Sequence, residues 1–72
     1  MVVLIFQTDI KSKGKVKSIK PILNRHSDII KWSVDLEDID NILRIEATTE
    51  LKEKEVIDII QEKGFFIQPL LD

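Results

Sequence analysis

"IIKWSVDLEDIDNILRIEA" (residues 29–47) holds two alternating segments with four residues between them. In 29–36, Trp32, Val34 and Leu36 fall on one side, while Lys31, Ser33 and Asp35 fall on the other. In 41–47, Leu43, Ile45 and Ala47 oppose Ile42, Arg44 and Glu46. A period of two marks a strand with one buried face. The joining "EDID" (37–40) is short and acidic, so the two strands are predicted to form a hairpin.

Outward from that hairpin, each flank supplies one helix and one strand. Upstream, "VVLIFQ" (2–7) is a short β-branched run with the pattern of a buried central strand. Gly14 stands where a loop is predicted to meet a helix. From Lys15 onward, Val16, Ile19, Ile22 and Leu23 are spaced three and four apart, with Lys13, Lys17 and Lys20 on the opposite face. Pro21 interrupts this pattern, which predicts either a kink or a late-starting first turn. Downstream, "TTELKEKEVIDIIQEKG" (48–64) reads as a second helix capped by Thr48 or Thr49. Its buried stripe is Val56, Ile57 and Ile60, and Gly64 ends it in the left-handed region. "FFIQPLL" (65–71) is a last strand, and Pro69 puts it at a sheet edge because proline cannot donate to a ladder. The order β-α-β-β-α-β predicts an α+β, ferredoxin-like fold: a four-stranded antiparallel sheet with two helices on one face.

Seventy-two residues predict a single domain over 1–72. At this size only about 60% of the unfolded chain's surface is buried on folding. With no cysteine, neither disulfides nor thiolate-bound metals reinforce the core. Stability must come from aliphatic packing, for which 43% hydrophobic residues are the means. The apolar start, Met1 to Phe6, is too short for a signal peptide or a membrane span, so the chain is read as soluble and cytoplasmic. Net charge is −2 but polarised. Residues 10–27 hold Lys11, Lys13, Lys15, Lys17, Lys20 and Arg25 without an acid, and residues 35–62 hold ten acids against Arg44, Lys52 and Lys54.

Several chemistries are disfavoured by residue type. "KSKGKVK" (11–17) lacks the first glycine and the Gly-Lys-Ser/Thr ending of a phosphate-cradling loop. It is either a solvated stretch or a docking point for an anionic group. Asp35, Glu37, Asp38 and Asp40 lack the glycine and distant glutamate of a calcium loop and read as a polar turn. His26 is the only histidine, too few for a structural zinc site without cysteines. It is predicted near the C-terminal end of the first helix. Phe6 and Trp32 read as core residues, since "NILRIEA" offers no aromatic platform for RNA and the acidic half repels phosphate. No serine or cysteine nucleophile pairs with a plausible base, so an enzyme is not expected.

With strands and helices placed, the chain resembles the heavy-metal-associated (HMA) domain of copper chaperones and metal-transporting ATPases. The resemblance rests on "VDLED" (34–38) and on "VIDIIQEKGFF" (56–66), and it spans essentially the whole chain. That family places Met-Thr-Cys-x-x-Cys where this chain has "IKSKGK" (10–15), which implies that the cysteine positions fall on Ser12 and Lys15. A hydroxyl is a poor ligand for a soft ion and an ammonium has no lone pair, so no metal or other cofactor is implied. The loop leads into a helix N-terminus, and Lys15 replaces a cation-holding thiolate with a fixed positive charge.

The resemblance therefore implies a non-catalytic domain that meets an acidic protein surface through Lys11, Ser12, Lys13, Gly14, Lys15 and Lys17. The second reading is metal handling by two molecules sharing His26 and carboxylates. The third is self-association into a homodimer, through the Trp32-side strand, the Pro69 edge, or the complementary charged halves. Neither nucleic acid nor membrane is an expected partner. Purified untagged in reducing buffer, the protein is expected to carry no stoichiometric copper or zinc by elemental analysis. One retained equivalent would overturn the ligand argument.

Overall fold

The computed structural model describes residues 1–70. The elements are β1 (Val2–Thr8), α1 (Lys13–Arg25), β2 (Ile29–Val34), β3 (Leu43–Ala47), α2 (Glu53–Glu62) and β4 (Ile67–Pro69). The sheet order is β2-β3-β1-β4, and every neighbouring pair is antiparallel. This is the ferredoxin-like βαββαβ topology, with both helices on one face. No described helix is long and apolar enough to cross a membrane.

The core lies between that face and the helices. β1 contributes Phe6, β3 contributes Leu43, Ile45 and Ala47, α1 contributes Ile19 and Leu23, and α2 contributes Val56 and Ile60. All eight are at most 1% exposed. The sheet's other face is open to solvent. Val3 and Ile5 point outward and keep 42% and 36% of their surface. β1 is central in the sheet, yet helices cover only one side of it.

β2 is shorter than its alternation predicts, ending at Val34 rather than at residue 36. A bulge between Ile29 and Lys31 shifts the register, so Ile29 pairs with Ala47, Trp32 with Ile45 and Val34 with Leu43. The extra residue lets Ile29 and Trp32, an odd number of positions apart, both face the helices, while Ile30 is turned out. Trp32 is only partly buried against the core, and its indole N–H donates to Asn24 Oδ1 at 2.9 Å on α1.

The helix ends also differ from expectation. α2 begins at Glu53, so neither Thr48 nor Thr49 caps it; Lys52 occupies the cap position without a side-chain bond. Thr48 serves a turn instead: its hydroxyl accepts from Glu50 N–H at 3.3 Å and donates to Asp28 Oδ1 at 3.0 Å. Glu53 and Glu55 in the first turn complement the dipole that this missing cap leaves. Gly64 has φ 89°, the left-handed stop predicted for it. β4 covers three residues at a sheet edge, with Pro69 in it; the predicted strand's Leu71 lies outside the described residues.

Pro21 sits inside α1, eight residues after its start, so a late-starting helix is excluded. Its missing N–H leaves the Lys17 carbonyl without a helical donor, and both residues are exposed, where water can serve. The packing of Ile19 and Leu23 on either side holds the helix through this defect. Pro21→Ala is expected to stabilise the domain by about 2 kcal/mol, the helix-interior penalty less the entropy proline removes from the unfolded chain. Chemical denaturation checks this; an unchanged or lower midpoint would show that Pro21 carries no such penalty.

Candidate functional site

Three connecting segments meet at one end of the sheet. β1 ends there, beside the start of β3, because Phe6 pairs with Leu43. Thr8 N–H donates to the Asp40 carbonyl at 3.1 Å, and the Thr8 hydroxyl donates to the Asn41 carbonyl at 2.6 Å. That hydroxyl also accepts from Ile10 N–H at 3.2 Å, holding the first loop to the same point. The turn after α2 joins through Phe66 N–H, which donates to Asp9 Oδ1 at 2.9 Å. Segments 9–12, 35–42 and 63–66 are thus neighbours by hydrogen bonding.

Within the first loop, Ile10 is fully buried and acts as the anchor. The residues after it are turned outward: Lys11, Ser12, Lys13, Gly14, Lys15 and Lys17 are all exposed. Ser12 is the N-cap of α1, with extended backbone (φ −145°, ψ 160°) and its Oγ accepting from Lys15 N–H at 3.2 Å. The Ser12 carbonyl accepts the first helical bond, from Val16 N–H at 3.0 Å. Gly14 lies one residue inside the helix, where an added Cβ would meet only Ser12 Oγ at 3.9 Å, so neither space nor φ demands glycine. Among the described residues, none of Lys11, Lys13, Lys15 and Lys17 is in an ion pair. Their charges are presented to solvent.

The acidic turn is ordered by its own carboxylates. Asp35 Oδ1 accepts from Glu37 N–H at 3.1 Å, Asp38 Oδ1 from Asp40 N–H at 2.8 Å, and Asp40 Oδ1 from the Gln7 amide at 3.1 Å. Asn41 closes the turn in the left-handed region with φ 44°, a conformation asparagine tolerates. Thr8 and Asn41, each 5% exposed, are the buried polar residues that sequence reasoning missed. Both look like ordinary loop residues until β1 and β3 are paired.

His26 is at the C-cap of α1, as its position predicts. Its Nδ1 accepts from Asp28 N–H at 3.2 Å, which leaves the proton on Nε2 to donate to Glu55 Oε2 at 2.9 Å. Thirteen helical residues, about 20 Å at 1.5 Å each, separate it from the first loop. It is therefore no part of that site. Among the described residues, no group of three or more His, Cys, Asp or Glu is placed to hold a metal ion. A shallow hollow of about 200 Å³ lies among Val3, Leu4, Ile5, Glu53 and Leu70, away from the lysines. It is smaller than the usual 300 Å³ or more of a small-molecule site.

Solved structures share this architecture. A chain in the solution structure of the Atx1–Cu(I)–Ccc2a complex matches with a TM-score of 0.82 at 18% identity, over 97% of this chain and 96% of that one. A second, from work on crosstalk between Cu(I) and Zn(II) homeostasis, matches with a TM-score of 0.81 at 11% identity, over 97% of this chain and 100% of that one. At such identities the likeness shows a shared fold. No protein-family model and no curated protein matches the sequence.

Ser12 is the polar side chain of the loop that caps α1. Ser12→Ala is expected to lower stability by about 1 kcal/mol, the usual worth of an N-cap hydroxyl, and Ser12→Asp to restore it. Thermal unfolding reads this as a fall of about 4–8 °C in Tm. Equal Tm values for all three proteins would show that the Ser12–Lys15 bond does not hold α1.

Proposed function

We propose that this chain is a non-catalytic protein-interaction module, built on the fold of copper-handling domains, that binds an acidic protein surface through its first loop and α1. The single observation that carries the reading is the state of the loop. Lys11, Lys13, Lys15 and Lys17 stand exposed and unpaired among the described residues, on a backbone fixed by buried Ile10 and the Ser12 cap. A backbone held in one shape has no loop to order when its lysines meet a partner.

The fold supports a contact role. One structural neighbour belongs to an assembly of Atx1, Cu(I) and Ccc2a. Cu(I) as cargo does not fit the residues present here. By the resemblance its thiolates would sit at Ser12 and Lys15, but the Ser12 oxygen is engaged by Lys15 N–H and the Lys15 ammonium has no lone pair to give. What the chain presents there instead is an exposed first loop at one end of the sheet. The sign of that end is positive.

Titration of isotope-labelled protein with an oligoglutamate peptide is expected to shift the amide signals of residues 11–17 and leave those of β2 in place. Each exposed charge pair is worth about 0.2–1 kcal/mol, so reversing two of them in Lys13→Glu with Lys17→Glu should weaken binding about tenfold. Affinity unchanged by the double reversal would mean that these lysines serve only solvation.

A further inference from the structure

The sheet's two edges are poor sites for pairing with another chain. β4 spans three residues and ends on Pro69, while β2 is bent by the bulge at Ile30 and carries exposed Lys31. Short strands, prolines, bulges and edge lysines are the devices that keep sheet edges from adding strands. Strand addition between copies of this chain is therefore disfavoured, and its connecting segments offer a different contact.

Those segments are matched in charge. Lys11, Lys13, Lys15 and Lys17 place four positive charges on the first loop and the start of α1; Asp35, Glu37, Asp38 and Asp40 place four negative charges on the turn between β2 and β3. Among the described residues no ion pair joins the two sets within one molecule. Between Asp38 and Asp40 stands Ile39, 93% exposed, the largest exposure of any large apolar side chain described. The turn that presents it is closed by Asp35 N–H to the Ile42 carbonyl at 2.9 Å and by Asn41 N–H to the Asp38 carbonyl at 3.0 Å. Its shape exists before any partner arrives.

We infer that the acidic turn around Ile39 docks on the basic first loop and α1 of a second copy of this chain, forming a two-fold symmetric dimer. Symmetry follows from topology. Thr8 N–H reaches the Asp40 carbonyl, so the acidic turn and the first loop lie at the same end of the sheet. Two molecules facing each other at that end can place each turn on the other's loop at once, and the contact closes as a dimer. Patches at opposite ends would instead propagate head to tail. Ile39 lies against the aliphatic stems of the facing lysines, while their ammonium groups meet the carboxylates on either side of it. This inference rests on the reading of the basic face as a protein-binding surface and names its occupant.

Sedimentation equilibrium of the intact chain tests it. In low salt the mass is expected to be twice the 8.4 kDa of one chain, falling to the single-chain value in 1 M salt. Over that change the screening length shortens from about 30 Å at 0.01 M to about 3 Å. Two variants separate the surfaces: Lys13→Glu with Lys17→Glu, and Glu37→Lys with Ile39→Lys. Glu37 and Ile39 side chains make no hydrogen bond among the described residues, so the second pair leaves the turn's own bonds intact. Each variant alone is expected to be monomeric in low salt. Mixed in equal amounts, they should recover part of the doubled mass, because an unaltered turn then faces an unaltered loop. A wild-type chain that stays at single-chain mass in low salt at millimolar concentration overturns the inference, as does a Glu37→Lys/Ile39→Lys variant that remains dimeric. The oligoglutamate titration keeps the two readings apart. Glu37→Lys/Ile39→Lys retains every lysine of the basic face, so peptide binding by a monomeric wild type would leave that face standing and remove only the dimer.

Discussion

The hydroxyl of Thr8 ties together one end of this domain. It donates a hydrogen bond to the Asn41 carbonyl and accepts one from Ile10 N–H, while the same residue's N–H donates to the Asp40 carbonyl. All of this happens out of contact with water, where losing one partner of a polar pair costs about 1–3 kcal/mol. Without that clasp only the β1–β3 ladder and the Gln7 amide on Asp40 would keep the first loop near the acidic turn. With it, lysines on one segment and carboxylates on the next become a single surface of mixed sign. Net charge, a modest −2, conceals that pattern.

The division between what the sequence reveals and what it withholds follows the range of each interaction. The β2–β3 hairpin, the two helical stripes and the Gly64 stop are local or periodic, and each is visible in a window of a dozen residues. The bulge at Ile30 is not, because it depends on how Ile29 and Trp32 reach the helices across the sheet. The start of α2 is hidden for a similar reason. Thr48 is a sound capping residue, but its oxygen accepts from Glu50 N–H and its proton is directed to Asp28, twenty positions earlier, in a turn that ends before α2 begins. Exposure of the lysines was legible from the opposing apolar stripe of α1. Their neighbour across the end of the sheet was not, since it depends on a pairing of Thr8 with Asn41 over thirty-three positions.

Ser12 closes the head of α1 with its own side chain. A side chain at the head of α1 has two possible uses, outward toward a ligand or inward toward the helix's free N–H groups. Here its oxygen is turned inward to Lys15 N–H. The domain's packing is separate from this bond. Its core is one cluster of aliphatic residues and Phe6, contributed by the strands, both helices and the loops, and buried without any ionic help. Such a core leaves the loops at the end of the sheet open to variation in charge.

The indole of Trp32 rests half-covered beside α1 and is tied to it through Asn24. It is also the chain's sole tryptophan. The molecule thus carries an intrinsic fluorophore on β2, set against the helix that bears the lysines, and its emission colour and quenching report on that helix's surroundings without any dye or tag.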